Sequence, residues 1–447
     1  GETNVISGTT NITMAVVTIG SSGSHTALIL TNAALLTNTA KCVIGDHLGA
    51  DSNYVWLTGS NTGWLMMRGQ MYVGYGGAGN QLIVSNGATV LNGFGGYLGY
   101  GSGANNNVAV VTGAGSAWST SVLYVGLDGS GNRLVVSDGG VVRDIGGFLG
   151  RYTSGNEVVV TGAGSLWSTD TNLYVGFEGS YNTLVVSNGG TVFASNLVSL
   201  GDGYIRSANR IITDGGTLRV ANAEAYGVFE ISNGTNQLCS GLVEVDHLLM
   251  TSTNGVFEFN GGTLRTKRTV VGNGKPFIVG NGVCAATLQL LGGSPNYATH
   301  IFTNGLLIQT NATLTGTGTI NGALTNCGTI FLTNADLMTF NGPVVNKGVI
   351  VAVTGLPHFN STFTDNGLVI TTLSIRSEDI SVAGSDVVLR FNTVSNRVHE
   401  IQASSNLTGG AWLSLTNGII GTGGPMTYTN AGGAAASNRT YRIKLVP

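Results

Sequence analysis

The chain has 447 residues, 71 of them Gly and only 6 Pro, and 9% are charged, where an average soluble domain carries about 25%. Its 19 Lys and Arg against 22 Asp and Glu leave a net charge of −3, so there is no basic excess to neutralise phosphates and nucleic acid is not expected as a partner. With 42% apolar residues and almost no net charge the chain does not read as disordered. It has no Gly-X-Y period for collagen and no apolar run long enough for a membrane-spanning helix. Asn-Gly and Gly-Gly dipeptides throughout break helices, which leaves a neutral, turn-rich, all-β protein.

Length suggests two or three domains. Cys42, Cys239, Cys284 and Cys327 are far apart and form no CxxC pair, so neither zinc nor a redox motif is indicated, and their disulfide state stays open. The chain opens Gly1-Glu2-Thr3. Without Met or a charged-then-apolar leader, this fits a mature secreted chain whose signal peptide has been removed.

Taken in chain order, the first segment is apolar and β-rich. Val5, Ile6, Ile12, Met14, Val16 and Val17 have no obvious polar cap before them, which makes them the candidate assembly surface. A repeat follows. Met71-Tyr-Val-Gly-Tyr-Gly-Gly-Ala-Gly-Asn80 returns as Leu123-Tyr-Val-Gly-Leu-Asp-Gly-Ser-Gly-Asn132 and Leu173-Tyr-Val-Gly-Phe-Glu-Gly-Ser-Tyr-Asn182, with weaker copies at Tyr97-Leu-Gly-Tyr100 and Phe148-Leu-Gly-Arg151. The closing glycines Gly20, Gly45, Gly74, Gly99, Gly126, Gly150, Gly176 and Gly201 set a period of about 25 residues. Each unit reads as three short strands and three turns. One turn recurs as Asn86-Gly87, Asp138-Gly139, Asn188-Gly189 and Asp214-Gly215, residue types that accept positive φ. Such a unit cannot bury its apolar face alone. Stacked coils pair their strands, bury Leu, Val and Ile inside, and align Asn, Ser and Thr in ladders.

Alternate coils carry Thr112-Gly-Ala-Gly-Ser-Ala-Trp118 and Thr161-Gly-Ala-Gly-Ser-Leu-Trp167, with a looser copy at Thr58-Gly-Ser-Asn-Thr-Gly-Trp64. This alternation resembles the repeat associated with type V autotransporter passengers and PEP-CTERM proteins, over about residues 70 to 220 with degenerate copies back toward residue 15. The resemblance implies a secreted, right-handed parallel β-helix on a bacterial surface, with adhesive or structural roles. Residues 1–220 are read as its regular coils. Residues 221–373 are read as less regular coils with loops near Pro276, Pro295 and Pro357. There Phe257-Glu-Phe-Asn-Gly-Gly-Thr-Leu-Arg265 and the stretch from Leu314 to Ile330 resemble autotransporter-associated β-strand repeats. Residues 374–447 are read as a small antiparallel β-sandwich, with strands at Asp386–Phe391, Val398–Ala403, Trp412–Leu415 and Tyr441–Leu445. Its layout resembles a C-terminal module of secreted Verrucomicrobia and Planctomycetes proteins and suits a cap or docking domain.

Site chemistry is sparse. Asp128, Asp144, Glu157 and Glu178 fall on different coils and suggest no carboxylate pair for glycoside cleavage. Arg442-Ile-Lys444 matches a polygalacturonase tripeptide, but that family's Gly-His-Gly is missing. No catalytic residue, cofactor or metal is assigned: Gln81 and Arg133 stand where a calcium-binding nonapeptide needs Asp, and the six histidines lack metal spacing. Asn311-Ala-Thr313 and Asn360-Ser-Thr362 are sequons. Trp64, Trp118 and Trp167 either form an exposed glycan-contacting row or each pack over a Gly-Ala-Gly turn. No membrane β-barrel follows the repeats and no Pro-Glu-Pro tail is present. The expectation is therefore a non-enzymatic, extracellular structural protein polymerising head-to-tail with itself. A monomeric adhesin or polysaccharide-binding β-helix is the alternative, and a polysaccharide lyase or hydrolase a distant one.

Overall fold

The computed structural model describes residues 1–201, 208–292, 298–333, 336–352, 355–371, 379–393, 398–405, 412–422, 425–435 and 439–446. Short strands with alternating in–out burial wind into a parallel β-solenoid. On its first face an 11-stranded sheet runs from strand Thr3–Ser7 to strand Gly255–Phe259. Each strand pairs in register with its counterpart one coil away, as Leu82 does with Ala109 and Ala109 with Leu134. The second and third faces join into a single 29-stranded sheet, because Gly241–Met250 and Gly262–Val271 cross both faces without a corner. From Phe277 a 5-stranded sheet, Phe277–Val279 to Phe363–Asp365, takes the place of the first face.

Inward-pointing residues form columns along the axis. On the first face Leu28, Val55, Leu82, Ala109, Leu134, Val158, Leu184 and Ile211 stack directly and are all buried. Each such aliphatic side chain contributes about 1.5–3 kcal/mol by leaving water.

A polar column runs beside them. Asn53, Asn80, Asn107, Asn132, Asn156, Asn182 and Asn209 are wholly or almost wholly buried. The Oδ1 of Asn132 accepts the Asn107 backbone N–H at 2.9 Å and its Nδ2 at 3.0 Å. The same two bonds join Asn53 to Asn80, Asn80 to Asn107 and Asn182 to Asn209. This ladder explains the period-marking glycines, all of which have positive φ. A Cβ on Gly99 would stand 2.1 Å from Asn132 Nδ2, and one on Gly126 2.3 Å from Asn156 Nδ2. The repeat Gly is therefore the floor on which the next coil's amide rests. Both residues of the Asn86-Gly87, Asp138-Gly139 and Asn188-Gly189 turns also have positive φ, whereas at Asp214-Gly215 only the glycine does.

The regular columns end in a polar defect. Asn236 takes the position that follows Ile211. It is fully buried, and its Nδ2 and Oδ1, like the nearby Thr213 Oγ1, have no hydrogen-bond partner. Beyond it the coils shorten. Asn326 Nδ2 donates to Asn346 Oδ1, 20 residues on, and Asn346 Nδ2 to Asp365 Oδ1, 19 on. A second short ladder links Asn321, Asn341 and Asn360, so the amide of the Asn360 sequon is a rung. The change in coil length accounts for the altered spacing in this part of the sequence. The expected loop at Pro276 is present, while that at Pro295 and the expected boundary at residue 374 lie outside the described residues. The loop expected near Pro357 is corrected. Pro357 lies in strand Leu356–Phe359 and pairs with Met338. Among the described residues that strand pairs on one side only, and an edge strand tolerates a residue without an N–H.

The C-terminal residues form two antiparallel three-stranded sheets. The sheets share one core of Val387, Leu389, Phe391 and Ile401, onto which Leu415, Ile419, Met426 and Tyr428 pack. Strand Thr440–Val446 comes against Leu368–Thr371, the last solenoid strand.

Replacing Asn132 with Ala removes the acceptor of two buried donors. It should lower stability by about 1–3 kcal/mol, measured by denaturant unfolding. Asn236→Leu should raise stability by about 1–2 kcal/mol in the same assay, because it removes an unpaired buried amide.

Candidate functional surfaces

The three tryptophans are not an exposed row. Trp64, Trp118 and Trp167 are at most 1% exposed, so no sugar can stack on them in the folded chain. None of the atoms nearest a Cβ on the turn glycines Gly113, Gly115, Gly162 and Gly164 belongs to a tryptophan. A Cβ on Gly96 or Gly147, one coil back, would stand 2.9 or 3.0 Å from Cζ2 of Trp118 or Trp167. Those glycines make room for the indoles. On the third face the inner column reads Met71, Gly96, Leu123, Gly147, Leu173, alternating large and small. On the second face it reads Trp64, Val90, Trp118, Val142, Trp167. Two coils thus make one packing unit.

Each indole N–H needs a buried acceptor. Trp64 and Trp118 donate to Asn38 and Asn92 Oδ1, both at 2.8 Å. Trp167 donates to Asp144 Oδ2 at 2.6 Å, while Thr169 donates to Asp144 Oδ1 at 2.8 Å. Asp144 is 3% exposed, and burial raises its pKa to about 7 despite these two bonds. It is an asparagine position occupied by an acid.

An aromatic ladder lies on the outside of the third face. Tyr72, Tyr97, Tyr124, Phe148 and Tyr174 stack with centroids 4.8–5.1 Å apart. Tyr75 and Tyr100 form a second stacked pair set edge-on to the first column. The Arg151 guanidinium lies 5.1 Å from the Phe148 centroid and donates to the Tyr124 hydroxyl. Burial, with the neighbouring phenols, pushes the Tyr72 and Tyr97 hydroxyls up, so they stay protonated. Within this ladder the rings cover one another's faces; Tyr72 is buried and Tyr97, Tyr124, Phe148 and Tyr174 are half-buried. Its signal in the sequence is the Tyr or Phe one residue before each Val-Gly or Leu-Gly.

The structure divides the N-terminal candidates. Val17 is buried, and Ile6 and Ile12 pack partly against the core. Val5, Met14 and Val16 stand out, 59%, 47% and 47% exposed. Among the described residues the strands carrying these side chains pair on one side only, with strands Ala27–Thr31, Leu35–Asn38 and Cys42–Ile44. In the C-terminal sandwich, edge strands Ile380–Ala383 and Leu413–Ile420 leave Val382, Leu413 and Ile420 63–65% exposed.

The remaining polar groups do not converge. Asp128 and Glu178 lie exposed outside the strands, and Glu157 pairs with Arg133 at 2.5 Å. Burial lowers the pKa of His247 and His300 to about 4. No group of three or more His, Cys, Asp or Glu among the described residues could hold a metal ion. Of the four free cysteines, Cys42 is buried and Cys284 exposed. An open cavity of about 350 Å³ between strands Gly255–Phe259 and Phe277–Val279 is lined by Met250, Phe257, Val271 and Phe277, with Lys275 at its side. No helix among the described residues is long and apolar enough to cross a membrane. No family model, curated protein or solved structure matches the chain.

The raised pKa of Asp144 sets a sign for pH dependence. The unfolded carboxyl ionises near 4 and the folded one near 7, so its contribution to stability is full below pH 4, falls through pH 7 and is flat above. Asp144→Asn removes this term. The stability of the variant relative to the native chain should rise by on the order of 3–4 kcal/mol between pH 4 and pH 8, read from paired denaturation curves.

Proposed function

We propose that this chain is a structural, self-assembling extracellular protein, a subunit of a bacterial surface fibre, sheath or layer that associates head-to-tail. The observation that carries this reading is the unlike pair of ends. Among the described residues the strands of the first coil pair on one side only, with Val5, Met14 and Val16 exposed. The sandwich at the other end presents edge strands with Val382, Leu413 and Ile420 exposed. Unpaired edges with apolar side chains recruit further strands, and joining two different surfaces produces open filaments. The neutral solenoid, with its asparagine ladder paired from coil to coil, suits a spacer, and no catalytic step belongs to this reading.

A second reading, a monomeric polysaccharide-binding adhesin, draws on the outer aromatic ladder in place of the buried indoles. Its hydroxyl-bearing edges offer donors and acceptors at the coil spacing.

Electron microscopy of the purified chain separates the two. Head-to-tail assembly gives uniform fibres. Val5→Lys, Met14→Lys and Val16→Lys together should abolish the fibres while leaving the melting transition within a few degrees, since these side chains face solvent. Isolated rods from the native chain, with binding on a glycan array that Tyr100→Ala and Tyr124→Ala reduce, would favour the adhesin.

A further inference from the structure

We propose that two copies of the chain pair face to face through the first face of the solenoid, with their axes antiparallel. The contact is lateral and independent of the end-to-end joint.

The outward residues of this face form three columns. Over six coils the middle one is aliphatic, where a solvated face would carry polar residues; beyond them it continues as Trp56 and Ile29 on one side and as Gln237 and Glu258 on the other. Ile83, Val110, Val135, Val159, Val185 and Ile212 follow one another in register and are half-buried by their own neighbours. On one side stand the hydroxyls Ser85, Thr112, Ser137, Thr161 and Ser187. On the other stand Gln81, Val108, Arg133, Glu157, Thr183 and Arg210.

The aliphatic column is a palindrome about the gap between Val135 and Val159. A two-fold axis parallel to the strands at that gap lays Val135 on Val159, Val110 on Val185 and Ile83 on Ile212 of the second copy. The same operation places Arg133 opposite the second copy's Glu157, and Glu157 opposite its Arg133. The salt bridge within each copy then becomes one of two facing pairs in a closed ring of alternating charge. Ser137 meets Thr161, and Thr112 meets Ser187. An isologous interface requires this self-complementarity.

The area also fits. The gap has six of the face's 11 strands on one side and five on the other, so 10 strands of each copy overlap. At about 4.8 Å per strand and 3.3 Å per residue this covers roughly 50 by 16 Å, close to the ~800 Å² per partner of a stable complex, with the six aliphatic strands as its apolar centre and Trp56 opposite Gln237 and Ile29 opposite Glu258 at its margins. The third face is less suited, because its aromatic rings already stack on one another.

Cross-linking tests the geometry. Val110 and Val185 lie three coils apart in one copy, about 14 Å, beyond disulfide reach, but face each other across the proposed axis. With Cys239, Cys284 and Cys327 changed to Ser, the double variant Val110→Cys/Val185→Cys should oxidise to covalent dimers while neither single variant does. Dimers from Val110→Cys alone would overturn the antiparallel arrangement, and no dimers from any of the three would overturn the pairing.

Sedimentation equilibrium of the Val5→Lys/Met14→Lys/Val16→Lys variant, whose end-to-end joint is removed, should give twice the 45.7 kDa monomer mass, and a monomer at micromolar concentration sinks the proposal. Arg133→Glu should weaken pairing tenfold or more, and Arg133→Glu/Glu157→Arg should restore it. Circular dichroism melts verify that each variant is folded.

Discussion

The close stacking of one coil on the next governs this molecule. Adjacent strands sit about 4.8 Å apart, so whatever one coil places at a given position must fit directly above and below its counterpart. The strictest point is the corner where the buried asparagines run. The amide of Asn132 occupies the space a side chain on Gly99 would need, and it receives the backbone and side-chain N–H groups of Asn107. The left-handed backbone at each repeat glycine and the close approach of the amide are two sides of one constraint. Low charge follows from the same geometry, since like charges stacked in register repel.

A looser version of this rule gives the two-coil alternation. Indoles on the second face are accommodated because the third face of the coil before supplies Gly96 or Gly147, and each indole N–H finds an amide or carboxyl oxygen in that coil. The interior therefore consumes Trp64, Trp118 and Trp167, the ladder asparagines, and the acids Asp144 and Asp246. What remains for partners is outside: the ends, the aromatic edges of the third face, and the aliphatic column of the first face. Functional argument about this chain belongs on those surfaces.

Asn236 and Thr213 mark a break in that regularity. Up to Ile211 the inner column of the first face is apolar; the next rung is an unpaired amide. Past it the corner between second and third faces disappears, a new sheet begins at Phe277, and the coil contracts to about 20 residues. Rungs of Asn321, Asn341 and Asn360, and of Asn326 and Asn346, resume the ladder device at the shorter spacing. The same physical solution is applied to a smaller cross-section.

The parallel solenoid, its strand–turn grammar and the separate antiparallel module were legible in the amino-acid sequence. In-register stacking imposes a periodic signal, and Gly20 through Gly201 display it directly. The sequence also marked the positive-φ turns, because few residues besides Gly, Asn and Asp tolerate them. Side-chain orientation was not legible. From the sequence Trp118 reads as packing over a Gly-Ala-Gly turn or as part of an exposed row, and only the register places it over Gly96. Likewise Asp144 gives no sign that it replaces a buried asparagine, and Val135 and Val159 read as ordinary strand residues. Three faces turn one period into three separate alternations. Only the tertiary structure decides where each begins, and so which member of an apolar run points into the core and which into solvent.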